Sequence, residues 1–152
     1  MRIVGDGALR AHVQRLAEGL DAPVDFLEPV APTETGAHYA WADTILVSLR
    51  AWEPMKWTVP SKLFEVLATG RHVTGTLAGE PAKILTDSGA GHVVPPGDPD
   101  ALADLWLALD RDRSLLDGGE SGPRWVAAHA REEDLTARYY RLLQQFRESD
   151  IR

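Results

Sequence analysis

Five short apolar runs recur along the 152-residue chain, and most are followed by a stretch of helical length and period. Arg2-Ile3-Val4, Val24-Asp25-Phe26-Leu27, Thr44-Ile45-Leu46-Val47, His72-Val73-Thr74 and Gly91-His92-Val93-Val94 read as strands. After the first, Leu9, Val13, Leu16 and Leu20 repeat at three- and four-residue intervals, the period of a helix. The segment from His38 to Ala42 also reads as helix, as do Pro81 to Ser88-Gly89 and a helix capped by Asp98 with Pro99 at its first position. Parallel strands need a crossover about as long as a helix, so this alternation predicts a doubly wound parallel α/β sheet of about five strands. Thr44 to Val47 is apolar without a break, as in a strand covered on both faces.

Beyond the sheet, Leu102, Leu105, Trp106 and Leu109 give the helix after Asp98 a buried stripe. Residues 117–124, rich in glycine, read as a hinge, and Trp125 to Phe146 as a helical tail with Leu135, Tyr139, Leu142, Leu143 and Phe146 on one face. The expected division is a sheet domain over 1–116 and a helical extension over 117–152 that packs on it.

The totals exclude several classes of function. A net charge of −7 argues against a nucleic-acid surface, so any phosphate site must be a local basic patch. With no cysteine there are no disulfides, thiolate nucleophiles or zinc–thiolate sites. The five histidines lack metal-ligand spacing and read as surface or half-buried residues. No run reaches transmembrane length and the N-terminus lacks a signal-peptide core, which makes a cytoplasmic location the default.

Ligands of such sheets sit beyond the carboxyl ends of the strands. Two segments leave those ends: the turn at 5–7 and the loop at 48–62, the latter running into Pro60-Ser61-Lys62-Leu63-Phe64-Glu65-Val66-Leu67-Ala68-Thr69-Gly70. Ser61 is positioned to cap a short helix, Leu63, Phe64 and Leu67 give it an apolar face, and Gly70 closes it. Glu65 stands four residues after Ser61, one too many for a capping box, so its carboxylate is free for other work. Lys62 opposes the helix dipole, which makes sense where an anion binds. Taken locally, the same residues also describe an ordinary amphipathic helix with a solvated Lys62 and Glu65.

In order and spacing, IVGDGALR, VDFLEPV, HYAWADTILVSL, PSKLFEVLATG and GHVVPPGDPDALADLWLAL resemble one module over Ile3 to about Leu109. It is the donor-binding, C-terminal half of the family 4 retaining glycosyltransferases, which have the two-domain GT-B fold. The resemblance implies a nucleotide-diphosphate sugar as substrate, with no metal and no further cofactor. By the same resemblance Glu65 holds the ribose hydroxyls, the backbone N–H groups of Ser61, Lys62 and Leu63 face the pyrophosphate, and Pro29 and Val30 meet the base. Ser48 and the glycines of the first turn, Gly5 and Gly7, line the pocket. A second family glutamate, eight residues before Glu65, is replaced by Trp57. The catalytic groups are thus unassigned, with Arg50, Lys56 and Lys62 as candidates to offset the leaving diphosphate charge. Family members carry a further central strand, with an Arg/Lys pair, and an N-terminal acceptor domain. The expectation is a fragment or one piece of a split enzyme, inactive alone and partnered by an acceptor domain or companion chain, through which alone it would meet a membrane.

Two other readings stay open. Gly5-Asp6-Gly7 with Glu28 at the end of the next strand is the outline of a dinucleotide site, but Arg10 fills the third glycine position. The other is a non-catalytic interaction module, on which Trp41, Trp52, Trp57, Trp106 and Trp125 bear. Trp106 is expected in the core, and Trp52 and Trp57 are expected to plug their loop against the sheet.

Overall fold

The computed structural model describes residues 1–149. Strands and helices alternate as β1 (Arg2–Val4), α1 (Arg10–Gly19), β2 (Asp25–Leu27), α2 (Pro32–Trp41), β3 (Thr44–Ser48), α3 (Ser61–Leu67), β4 (His72–Thr76), α4 (Glu80–Ser88), β5 (Gly91–Val94), α5 (Pro99–Arg111), α6 (Ser121–His129) and α7 (Glu132–Ser149). Single 3₁₀ turns occupy Glu53–Lys56 and Arg113–Leu116. Every strand pair is parallel, as the alternation predicts. The chain divides into two compact units, Met1–His38 and Tyr39–Arg152.

In the first unit β1 pairs with β2, Ile3 opposite Phe26. Nothing among its described residues is buried, and Leu9, Leu16 and Leu20 of the α1 stripe stand exposed. The second unit orders its strands β3-β4-β5, with Ile45 opposite Val73 and Val73 opposite Gly91. Among the described residues β1 pairs with β2, and β3 pairs with β4.

All five residues of β4 are buried, and their alternation sorts the two faces of its sheet. Ile45, Val47 and Val73 join Leu63, Val66 and Leu67 of α3, and Ile84 and Leu85 of α4, in one apolar core. Thr44, His72, Thr74 and His92 are linked on the opposite face. Trp106 of α5 reaches it, its Nε1 donating to Thr74 Oγ1 over 3.2 Å. Thr44 Oγ1 lies 2.8 Å from Thr74 Oγ1 and 2.7 Å from His72 Nδ1, and His72 Nε2 is 2.8 Å from His92 Nδ1. An indole N–H only donates, and the assignment that gives each hydrogen a partner runs one way, from Trp106 through Thr74, Thr44 and His72 to His92. Burial, with the neighbouring His92 adding to it, pushes His72 down to about 4. His72 is thus buried rather than at the surface or half-buried, a correction to the sequence reading.

Two further expectations change. Residues 117–124 are a close-packed crossing, not a hinge: a Cβ on Gly122 would lie 2.4 Å from the Leu67 carbonyl oxygen, so only glycine lets α6 approach α3. Phe64 and Trp125 stack across that contact with ring centroids 6.3 Å apart. The helical tail comprises two helices, α6 and α7. Packing on the sheet domain is carried by α6, whereas Leu135, Tyr139, Leu142, Leu143 and Phe146 of α7 are exposed. Residues 150–152 of the expected extension lie outside the described residues.

Candidate functional site

The loop after β3 and the helix α3 stand at the carboxyl end of the three-stranded sheet, where Rossmann-like sheets place their ligands. Pro60, held at φ −71° and ψ 136°, takes the N-cap position itself and puts Ser61 inside the first turn. Ser61 therefore makes no capping bond, contrary to the sequence reading. Leu63 N donates to the Pro60 carbonyl over 2.9 Å, so its N–H is committed within the turn and its side chain is buried. That removes Leu63 from the amides expected to face a pyrophosphate. Ser61 and Lys62 remain, with N–H groups that a helix cannot satisfy internally. After Leu67 the chain leaves the helix, and Gly70 takes the expected left-handed conformation at φ 70°.

Glu65 is exposed on α3, one turn beyond Lys62. The Tyr39 hydroxyl, from the last turn of α2, donates to Glu65 Oε1 over 2.7 Å and accepts from Lys62 Nζ over 3.2 Å. Lys62 Nζ lies 5.5 Å from the centre of the Tyr39 ring. Burial raises the Tyr39 phenol above its ordinary value; the bond to Glu65 raises it further and Lys62 opposes both. Sequence reasoning missed Tyr39, because a contact across 26 residues leaves no local pattern.

Beside the strand tips a cavity of about 300 Å³ is lined by Leu49, Arg50, Trp52, Met55 and Lys56 of the loop, with Ala78 and Pro96 from the segments after β4 and β5. Lys56 pairs with Glu53 at 2.7 Å, so its charge is already partly offset, whereas Arg50 is exposed on the cavity wall. Gly79 fixes how closely this loop sits: a Cβ there would lie 2.4 Å from the Lys56 carbonyl oxygen. Trp52 and Trp57 do not plug the loop; they are 60% and 78% exposed, leaving Trp52 as an open aromatic face on the cavity. Ser48, at the tip of β3, accepts from Thr76 Oγ1 over 2.7 Å. A second cavity, of about 370 Å³, lies at the opposite end of the strands among Asp43, Arg71, His72, Arg113 and Asp117.

In the first unit the turn after β1 brings Gly5 N to the Leu27 carbonyl over 3.1 Å. Arg10 Nη1 donates to the carbonyls of Gly5 and Leu27, and Nη2 pairs with Glu28 Oε1 at 2.8 Å. Glu28, the acid a dinucleotide reading requires, is therefore held by the very residue that replaces the third glycine. Gly7 stands exposed with its N–H on Asp6 Oδ1 at 2.7 Å, and Pro29 and Val30 follow β2. Among the described residues no group of three or more His, Asp or Glu is placed to hold a metal ion.

Residues 1–112, most of the chain, match the family described as glycosyl transferases group 1. The chain belongs to that family. Its fold matches sucrose-phosphate synthase from Thermosynechococcus elongatus at a TM-score of 0.80 and 22% identity, over 97% of this chain and 38% of that one. It matches Anabaena HepE, solved with UDP and glucose, at a TM-score of 0.73 and 18% identity, over 94% of this chain and 39% of that one. A second HepE structure, with UDP-glucose, gives 0.73 and 18% over 95% and 40%. At such identities these likenesses establish the GT-B-type, Rossmann-like fold of the chain and no more. The chain spans about two fifths of the length of these structures, and no curated protein matches it. Among the described residues no helix is long and apolar enough to cross a membrane.

Proposed function

We propose that this chain binds the donor substrate of a retaining glycosyltransferase, a nucleotide-diphosphate sugar. The observation that carries the reading is Glu65, a carboxylate exposed at the strand tips on the helix that follows the loop, with one oxygen left for a sugar diol. An ionised carboxylate only accepts hydrogen bonds, and ribose hydroxyls are the matching pair of donors. The Ser61 and Lys62 amides would take the diphosphate, and Arg50 and Lys62 would offset the charge that develops on it, a task that needs no metal. Lys56, already paired with Glu53, contributes less. Trp52 offers a face for stacking on the cavity, and Ser48 lies at its mouth.

Glycosyl transfer then places the leaving diphosphate on the strand tips and an acceptor opposite. We assign the acceptor to a further domain or companion chain, in keeping with the two-fifths share of the related structures that this chain spans. Residues 1–152 alone are expected to bind donor weakly and to transfer nothing, and the cytoplasm, where nucleotide sugars are made, is the location that suits them.

The dinucleotide alternative loses support from Arg10, which crowds the first turn and occupies Glu28. A direct comparison separates the two readings: UDP-glucose is expected to raise the melting temperature of the chain and NADH to leave it unchanged, because only a ligand that binds the folded state stabilises it. A shift with NADH and none with UDP-glucose would reverse the assignment.

A further inference from the structure

We propose that Tyr39 is a positioning residue for nucleotide-sugar binding, its hydroxyl setting the Glu65 carboxylate in the orientation that receives the ribose diol. The inference rests on the reading of Glu65 as the acid that holds the pentose.

The direction of the contact is fixed by chemistry. Lys62 carries an ammonium, which only donates, so at 3.2 Å the Tyr39 oxygen must accept from it. The single phenolic hydrogen is left for Glu65 Oε1, 2.7 Å away. Each charge of α3 is therefore tied to the same oxygen, and among the described residues no ion pair joins Lys62 to Glu65. An exposed glutamate otherwise turns freely about three side-chain torsions, and binding would have to order it. Tyr39 is a better anchor: it has two torsions, and its ring packs against the core cluster of the second unit. One carboxylate oxygen is thus occupied and oriented, and the residue as a whole stays exposed. Lys62, drawn towards the ring, is kept from closing over the second oxygen.

This arrangement acts on hydroxyls and on nothing else in the ligand, which makes it testable. Tyr39→Phe keeps the ring and its packing and removes the hydroxyl, and with it the bonds to Glu65 and Lys62. The affinities of UDP and of 2′,3′-dideoxy-UDP are measured for the unsubstituted chain and for Tyr39→Phe by ligand-observed NMR. The expected result is a loss of about five- to tenfold for UDP, the scale of one ordinary net hydrogen bond, with no change for the dideoxy analogue. An equal loss for both ligands, or no loss for UDP, overturns the positioning role while the donor reading stands. Failure of UDP to bind the unsubstituted chain overturns the donor reading and this inference together. Ultraviolet difference titration of Tyr39 gives a readout without ligand: Glu65→Gln should lower its ionisation midpoint, and an unmoved midpoint would mean that the tether does not form.

Discussion

The two ends of the β3-β4-β5 sheet handle their polar groups in opposite ways. At the amino end His72, Thr44, Thr74 and His92 form a chain in which each hydrogen has a partner and His72 is enclosed. At the carboxyl end Glu65, Lys62, Arg50 and the first amides of α3 are exposed, with hydrogen-bonding capacity unused. Buried polar groups must be paired or the fold loses stability. Exposed ones carry no such demand and can wait for a ligand. The difference separates residues that hold the sheet together from residues that, on the proposed reading, receive a donor, within one set of strands.

That contrast can be broken from either side. The largest effect is expected beneath α3, where Leu67 is fully buried between sheet and helices. Leu67→Ala should destabilise the chain by about 2–5 kcal/mol in urea or thermal unfolding. A loss near zero would mean that α3 is not seated on the core, and the site with it.

The closed end should show itself through acid. His72 lies near 4 in the folded chain against an ordinary 6.5, so between those values the unfolded state holds more protons than the folded one. Stability contributed by neutral, buried His72 is complete above 6.5 and is lost as pH falls towards 4, by up to roughly 3 kcal/mol. Urea midpoints recorded across that window should fall on acidification, and His72→Gln should flatten the slope. An equal slope in the variant would place the acid sensitivity elsewhere.

How legible this contrast is from sequence depends on how local each cause is. The strands were readable because a run such as Thr44 to Val47 is apolar without a break, although only Ile45 and Val47 of it are buried, and Asp98 caps α5 as read, its Oδ1 accepting from Ala101 N at 2.9 Å. Ser61 was misplaced by one position because Pro60, with its ψ of 136° in the extended region, takes the cap and leaves Ser61 inside the helix. The glycines at 118, 119 and 122 signal a turn, but the same lack of a Cβ serves close approach, and only packing tells the two apart. Trp52 and Trp57 follow no average preference for burial, because their loop lies at a cavity mouth. The His72–His92 contact is a diagonal across a strand pair whose register sets Thr74 opposite His92, and no periodicity predicts it. Tyr39 and Glu65 meet only through tertiary structure. Glu65 was legible as an exposed carboxylate on α3, while its place at a donor site rests on the family resemblance.

The open end has its own test. Glu65→Ala should leave stability within about 0.5 kcal/mol, as for an exposed residue whose hydrogen bond lies at the surface. Titration of UDP-glucose against the two proteins should show the variant weaker by about 1.5–3 kcal/mol, the scale of hydrogen bonds to a charged group. Equal affinities would remove Glu65 from the site and contradict the account.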